Sequence, residues 1–90
     1  MEIYIIKQVV KFGNVNPKHT LSTFDVKGVY LTREGAEKHL EKIFNAARGR
    51  EGFDAYYGKP GFGTLKVVSI TNHEAERQDT YILTSMPVQK

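Results

Sequence analysis

One segment of this chain has helical periodicity, and it limits the possible folds more than any other feature. Within residues 33–48 the apolar side chains recur at helical spacing and form one stripe: Ala36, Leu40, Ile43, Phe44 and Ala47. Thr32 is suited to cap the amino end of this helix, and Gly49 can supply the left-handed residue after its carboxyl end. We also expect Leu31, just before the cap, to pack against Ala36.

Four other segments are rich in β-branched and aromatic residues, which predicts strands. They are residues 3–12, 21–31, 64–71 and 80–86. Turn-forming stretches at 13–20 and 72–79 separate the strands of each pair. Since a single helix has to cover one face of a sheet, we expect an α+β fold. Its sheet is predicted to be four-stranded and mainly antiparallel, with the helix packed on one face, in the order β-β-α-β-β.

The alternation of side chains indicates which face of each strand is buried. Lys7 and Lys11 share the odd-numbered face of the first strand, so the even-numbered face is expected to meet the core. In the second strand, Phe24, Val26 and Tyr30 are predicted to share one face. The helix leaves the other face of the sheet uncovered, which predicts a homodimer through that face.

Size and composition exclude several classes of protein. Ninety residues suffice for one small domain, which we place at 1–90. The absence of cysteine excludes disulfides, thiol nucleophiles and thiolate metal sites. A net charge of +3 excludes a strongly acidic DNA mimic and does not require a nucleic-acid partner. No apolar run approaches the ~20 residues of a membrane span and no signal-peptide pattern opens the chain, so we expect a cytoplasmic protein with no membrane partner.

Residues 49–63 fit neither the helical nor the strand period. They contain five glycines, one proline and four aromatic residues, which predicts a long exposed loop. Ordered loops of this length are often functional, and binding energy at interfaces concentrates in aromatic residues and arginine. The candidate partner-binding residues are therefore Arg48, Arg50, Phe53, Tyr56, Tyr57, Lys59 and Phe62.

The alternative ligand for the same segment is a nucleic acid or a nucleotide. Basic side chains could line one edge with rings between them: Arg48, Arg50, Lys59 and Lys66 with Tyr56, Tyr57 and Phe62. Residues 61–63 match the centre of an RNA-recognition signature, but Thr64 stands where a stacking phenylalanine is required. The rings could equally pack back on the sheet and fix the loop.

No catalytic, metal or cofactor site is predicted. His39 lies off the apolar stripe of the helix, which is typical of an exposed residue, and no serine occupies a nucleophile elbow. His73, Glu74 and Glu76 are too close together in sequence to enclose a metal ion. We therefore expect a protein that is not an enzyme.

Two stretches resemble small phage and prophage accessory proteins: residues 1–6 (MEIYII) and 28–38 (GVYLTREGAEK). These proteins begin with a tyrosine-bearing strand and continue through Gly-Val-aromatic and a Thr or Ser cap into a helix with Ala-Glu. Gly35 departs from the charged residue usual in that first turn. The resemblance implies a non-enzymatic protein that binds and inhibits a host or bacterial defence protein, such as a CRISPR effector, in the host cytoplasm. It assigns no functional residue.

Overall fold

The computed structural model describes residues 1–12, 23–61 and 63–88, with the backbone alone at Thr23 and Phe24. The predicted turn at 13–20 and the candidate Phe62 lie outside the described residues. The described elements are β1 (Glu2–Phe12), β2 (Thr23–Tyr30), α1 (Arg33–Ala47), β3 (Phe53–Gly58), β4 (Lys66–Asn72) and β5 (Arg77–Pro87). The α+β class, with a helix packed on an antiparallel sheet, is confirmed.

The prediction of four strands is wrong, because part of the segment expected to be a loop is a strand. The described sheet has five antiparallel strands in the order β2-β1-β5-β4-β3. β3 pairs with β4 without interruption, from Phe53 opposite Asn72 to Gly58 opposite Val67. Gly49 and Gly52, both at positive φ, form the turn that leads from the helix into β3.

The core lies between α1 and the even-numbered face of β1, as predicted. Ile6 and Leu40 are fully buried at its centre. The buried residues that form this core are Ile6, Ala36, Leu40, Ala47, Val68, Ile70 and Leu83. Ile43 and Phe44, the other members of the predicted helical stripe, pack against it and are half-buried.

A β-bulge changes the faces of β2 from those predicted. Gly28 lies opposite Ile6 while Val26 lies opposite Lys7, so Lys27 is an extra residue in the ladder. One inserted residue reverses the alternation of side chains. Val26 therefore lies on the uncovered face and is 51% exposed, so the prediction that it shares a face with Tyr30 is wrong.

The ends of α1 mostly follow the sequence signals. The Thr32 hydroxyl oxygen accepts a hydrogen bond from the Gly35 N–H at 3.1 Å, which is the predicted cap. The helix ends at Ala47, and the N–H of Arg48, the C-cap residue, donates to the Phe44 carbonyl at 2.9 Å. Leu31 is 69% exposed, so the expected contact with the helix is not made.

The helix crosses the sheet from one edge to the other. It begins after β2, where the Tyr30 hydroxyl is hydrogen-bonded to His39 Nδ1, and it ends beside β3 at the other edge. No helix in the described part of the chain has the length and apolar character needed to cross a membrane.

Candidate functional site

β3 divides the predicted binding residues between the two faces of the sheet. Alternation places Phe53 and Tyr57 on the helix side, where their partners in β4 are Asn72 and Val68. Tyr56 lies on the opposite face, where its hydroxyl accepts a hydrogen bond from Gln78 Nε2 at 2.8 Å. The two tyrosines, 47% and 45% exposed, were both predicted to bind the partner from one loop. The structure places them on different surfaces.

On the helix side, a phenylalanine from the helix and a tyrosine from β3 form a stacked pair. The rings of Phe44 and Tyr57 lie with their centroids 4.5 Å apart and their planes 20° apart. The Lys66 ammonium lies 4.9 Å from the centroid of Tyr57. The Arg48 guanidinium lies 6.0 Å from the centroid of Phe44. Two rings and two cations are thus brought together where the helix meets the edge of the sheet.

A third cation and a third ring lie next to this group along the chain. The Arg50 guanidinium lies 4.5 Å from the centroid of Phe53, because the glycine turn brings the chain from Arg50 directly into β3. Contacts of this kind stabilise by about 0.5–1 kcal/mol when exposed. The surface that these contacts define is called the cationic edge: Phe44, Arg48, Arg50, Phe53, Tyr57 and Lys66.

Four of the seven predicted residues belong to the cationic edge: Arg48, Arg50, Phe53 and Tyr57. Tyr56 belongs to the other face, and Lys59 is exposed after the end of β3. Phe44 was assigned to the core by its place in the apolar stripe. Phe44 also belongs to the cationic edge, and its position one turn before Arg48 was the sequence signal for this.

The charge of the cationic edge is positive. Asp54 lies on the opposite face of β3, where its carboxylate pairs with His73 Nε2. Glu51 is exposed in the turn beside Arg50. The six residues that define the cationic edge therefore carry three cations and no carboxylate, a pattern that favours an acidic partner.

A polar cleft of about 370 Å³ lies beside the helix, lined by Gln8, Lys27, His39, Ile43, Arg77 and Tyr81. Gln8 Nε2 donates to Asp79 Oδ1 at 3.0 Å and to the Tyr81 hydroxyl at 3.2 Å. Arg77 donates to the same Asp79 carboxylate at 3.0 Å. Burial raises the pKa of the Tyr81 hydroxyl, Asp79 raises that pKa further, and Arg77 opposes both effects.

The groups that line this cleft already have partners within the protein. Lys27 forms an ion pair with Asp25 at 3.2 Å, and Arg77 pairs with Asp79. His39, expected to be exposed, is half-buried and bonded to Tyr30, so that prediction is wrong. A ligand in the cleft would have to compete with these contacts, so we take the cationic edge as the candidate functional site.

Within the described residues, no group of three or more His, Cys, Asp or Glu side chains is positioned to hold a metal ion.

Comparisons with protein-family models, curated proteins and solved structures found no match to this chain. The resemblance to phage accessory proteins therefore stays a prediction.

Proposed function

We propose that this chain is a non-enzymatic binding protein that attaches its cationic edge to an acidic surface of another protein. The observation that supports the proposal is the placement of three cations over three rings on one side of the domain: Arg50 over Phe53, Arg48 over Phe44 and Lys66 over Tyr57. Arginine and tyrosine are the residues that most often dominate binding energy at protein interfaces. Rings that hold the cations in place also reduce the side-chain entropy lost on binding.

The resemblance to phage accessory proteins indicates which partner to test first. We propose that the partner is a host or bacterial defence protein, such as a CRISPR effector, and that binding inhibits it by covering part of its surface. The encounter would take place in the host cytoplasm if the protein is phage-encoded. A positive edge accelerates association with an acidic target, and this acceleration weakens as salt screens the charges.

A nucleic acid is the alternative partner, and the ring geometry favours it less. Single-stranded nucleic acids stack successive bases on open aromatic faces. The Tyr57 ring already has Phe44 stacked on it and the Lys66 ammonium over it. Tyr56 lies on the other face of the sheet, so it cannot continue a row of rings from Tyr57.

Charge reversal tests the proposed function. The triple variant Arg48→Glu, Arg50→Glu, Lys66→Glu and the wild type are each used to capture partners from a bacterial lysate, and each purified partner is then titrated by calorimetry. We expect the triple variant to bind at least about 30-fold more weakly, since loss of central arginines costs about 2 kcal/mol or more.

The matched control makes the same change in net charge on exposed residues outside the cationic edge: Lys11→Glu, Lys38→Glu and Lys42→Glu. This control should bind as the wild type does. Equal affinity of the two triple variants would contradict the proposal. Binding of a labelled oligonucleotide that falls steeply with salt and is lost only in the cationic-edge variant would instead support the nucleic-acid alternative.

A homodimer through the uncovered face of the sheet is a separate proposal. That face exposes Val26, Val29 and Met86, each by half or more. Burying these side chains in a dimer would remove apolar surface from water. Light scattering should show two chains at high concentration for the wild type and one for Val29→Asp. A single chain in both cases rules the dimer out.

A further inference from the structure

The two edges of the described sheet differ in how they are protected against pairing with another strand. β2 carries the bulge at Lys27, together with the ion pair between Lys27 and Asp25. Bulges and charged side chains are common devices that prevent an edge strand from adding a further strand. β3 (FDAYYG) has neither a register shift nor a lysine or proline, and the carboxylate of its one charged residue, Asp54, is paired with His73.

The hydrogen-bonding phase of β3 follows from its first contact with β4. The His73 N–H donates to the Gly52 carbonyl at 2.9 Å, so Gly52 and His73 form a hydrogen-bonded pair. Such pairs alternate along an antiparallel ladder, so Asp54 and Tyr56 also bond toward β4. Ala55 and Tyr57 then direct their N–H and C=O groups away from β4, toward the free edge.

We propose that β3 accepts an extended acidic segment of the partner protein as a sixth strand of the sheet. This inference depends on the proposed function and specifies how the partner is held. Backbone groups of Ala55 and Tyr57 supply the hydrogen bonds, as in other cases of strand addition. The cationic edge supplies the selection between possible partner segments.

The position of the cations predicts the pattern of the partner strand. Residues that pair opposite Ala55 and Tyr57 place their side chains on the helix side, beside Arg50 and Lys66. The small side chain of Ala55 leaves room there between the rings of Phe53 and Tyr57. Acidic side chains at alternate positions suit this surface, and the residues between them face the side of the sheet on which Tyr56 lies.

A second copy of this chain fits the edge less well. Antiparallel pairing of two β3 strands about a two-fold axis perpendicular to the sheet places both helices on the same face. Each copy would then bring Arg48, Arg50 and Lys66 toward the same residues of the other. Like charges that oppose each other across a strand pair are destabilising, so the edge favours an acidic partner over itself.

A proline at Ala55 tests the backbone part of the proposal. Ala55→Pro removes the N–H that points to the free edge and leaves the bonds to β4 in place, a position where edge strands tolerate proline. Ala55→Ser is the matched control because it keeps the N–H. The probe is a fluorescein-labelled synthetic peptide of alternating glutamate and valine, with a lysine–valine peptide as its charge control.

We expect fluorescence anisotropy to show about tenfold weaker binding of the acidic peptide to Ala55→Pro, since one hydrogen bond is lost and the proline ring intrudes on the edge. Ala55→Ser should bind within about twofold of the wild type. The lysine–valine peptide should bind to none of the three proteins. Circular dichroism establishes whether each variant is folded. Absence of binding of the acidic peptide to the wild type overturns strand addition to β3.

Amide hydrogen exchange in the wild type keeps the inference testable even if Ala55→Pro does not fold. The acidic peptide should slow exchange at Ala55 and Tyr57, whose N–H groups face the free edge. Peptide binding that leaves both amides unprotected overturns strand addition. If that binding is also lost in the charge-reversed triple variant, the cationic edge still acts as an interface and the proposed function stands. If the triple variant binds unchanged, the proposed function fails as well.

Discussion

The Phe44 ring of α1 lies almost parallel to the Tyr57 ring of β3, and this stack joins the end of the helix to the edge strand β3. A stacked pair contributes about 0.5–1.5 kcal/mol beyond the area it buries. A double-mutant cycle with Phe44→Leu and Tyr57→Leu, followed by urea unfolding, should therefore give a coupling free energy in that range. The cycle of Phe44→Leu with Tyr56→Leu should give none, because Tyr56 lies on the other face.

A large stability loss is expected at the centre of the core. Leu40→Ala removes a fully buried side chain and should lower the free energy of unfolding by about 2–5 kcal/mol. Leu31→Ala makes the same chemical change at an exposed position outside the helix and should change it by less than about 0.5 kcal/mol. Similar losses in the two variants would contradict the position of the core.

The cap of the helix can be tested with two small substitutions. Thr32→Ala removes the acceptor for the Gly35 N–H and should cost about 1 kcal/mol in the free energy of unfolding. Thr32→Ser keeps a hydroxyl oxygen at that position and should recover most of this loss. Thermal unfolding followed by circular dichroism measures both, and equal melting temperatures for the two variants would show that the hydroxyl does not stabilise the helix.

Stability at alkaline pH should depend on Tyr81. Its pKa in the folded protein is raised, first by burial and then by the nearby carboxylate of Asp79. The folded state therefore keeps the phenol proton at a pH where the unfolded chain has lost it. The contribution of the Tyr81 hydroxyl to the free energy of unfolding is fully present below the unfolded pKa of about 10. It is lost as pH rises through the folded pKa.

Urea unfolding at a series of pH values above about 9 should thus show that the free energy of unfolding falls more steeply with pH for the wild type than for Tyr81→Phe. The two proteins differ only in the Tyr81 hydroxyl, so the difference between their pH profiles reports on that group. Gln8 keeps its hydrogen bond to Asp79 in the variant, which preserves the neighbouring contacts. Parallel pH profiles would show that Tyr81 does not cause the alkaline loss.

Local sequence signals predicted the helix and the buried face of β1 correctly. Both depend on periodicity within one element, as with Thr32 at the cap and Ile6 in the core. β3 was missed because its six residues lie between glycines, which suggest a loop. The alternation of Phe53, Ala55 and Tyr57 toward the core is too short to outweigh them. The bulge at Lys27 was missed because its register is set by β1, a distant part of the chain.

The sequence indicated which residues form much of the candidate site, but not how the fold arranges them. Arg48, Arg50 and Tyr57 belong to the cationic edge, as residue types suited to interfaces. Whether Tyr56 joins them depends on the alternation of β3, which cannot be seen while the segment is taken for a loop. The contact of Phe44 with Tyr57 joins residues thirteen positions apart, which only the crossing of the helix over the sheet brings together.

The bulge in β2 has a consequence for stoichiometry. A sheet that can be extended at both margins grows into a filament when its ligand carries matching strands. Here the register is irregular at Lys27, which opposes addition of a strand, and regular along β3, where the addition is proposed. Each copy of the chain should therefore engage a single ligand strand, so a dimer-deficient variant such as Val29→Asp should form only discrete complexes with a multivalent ligand.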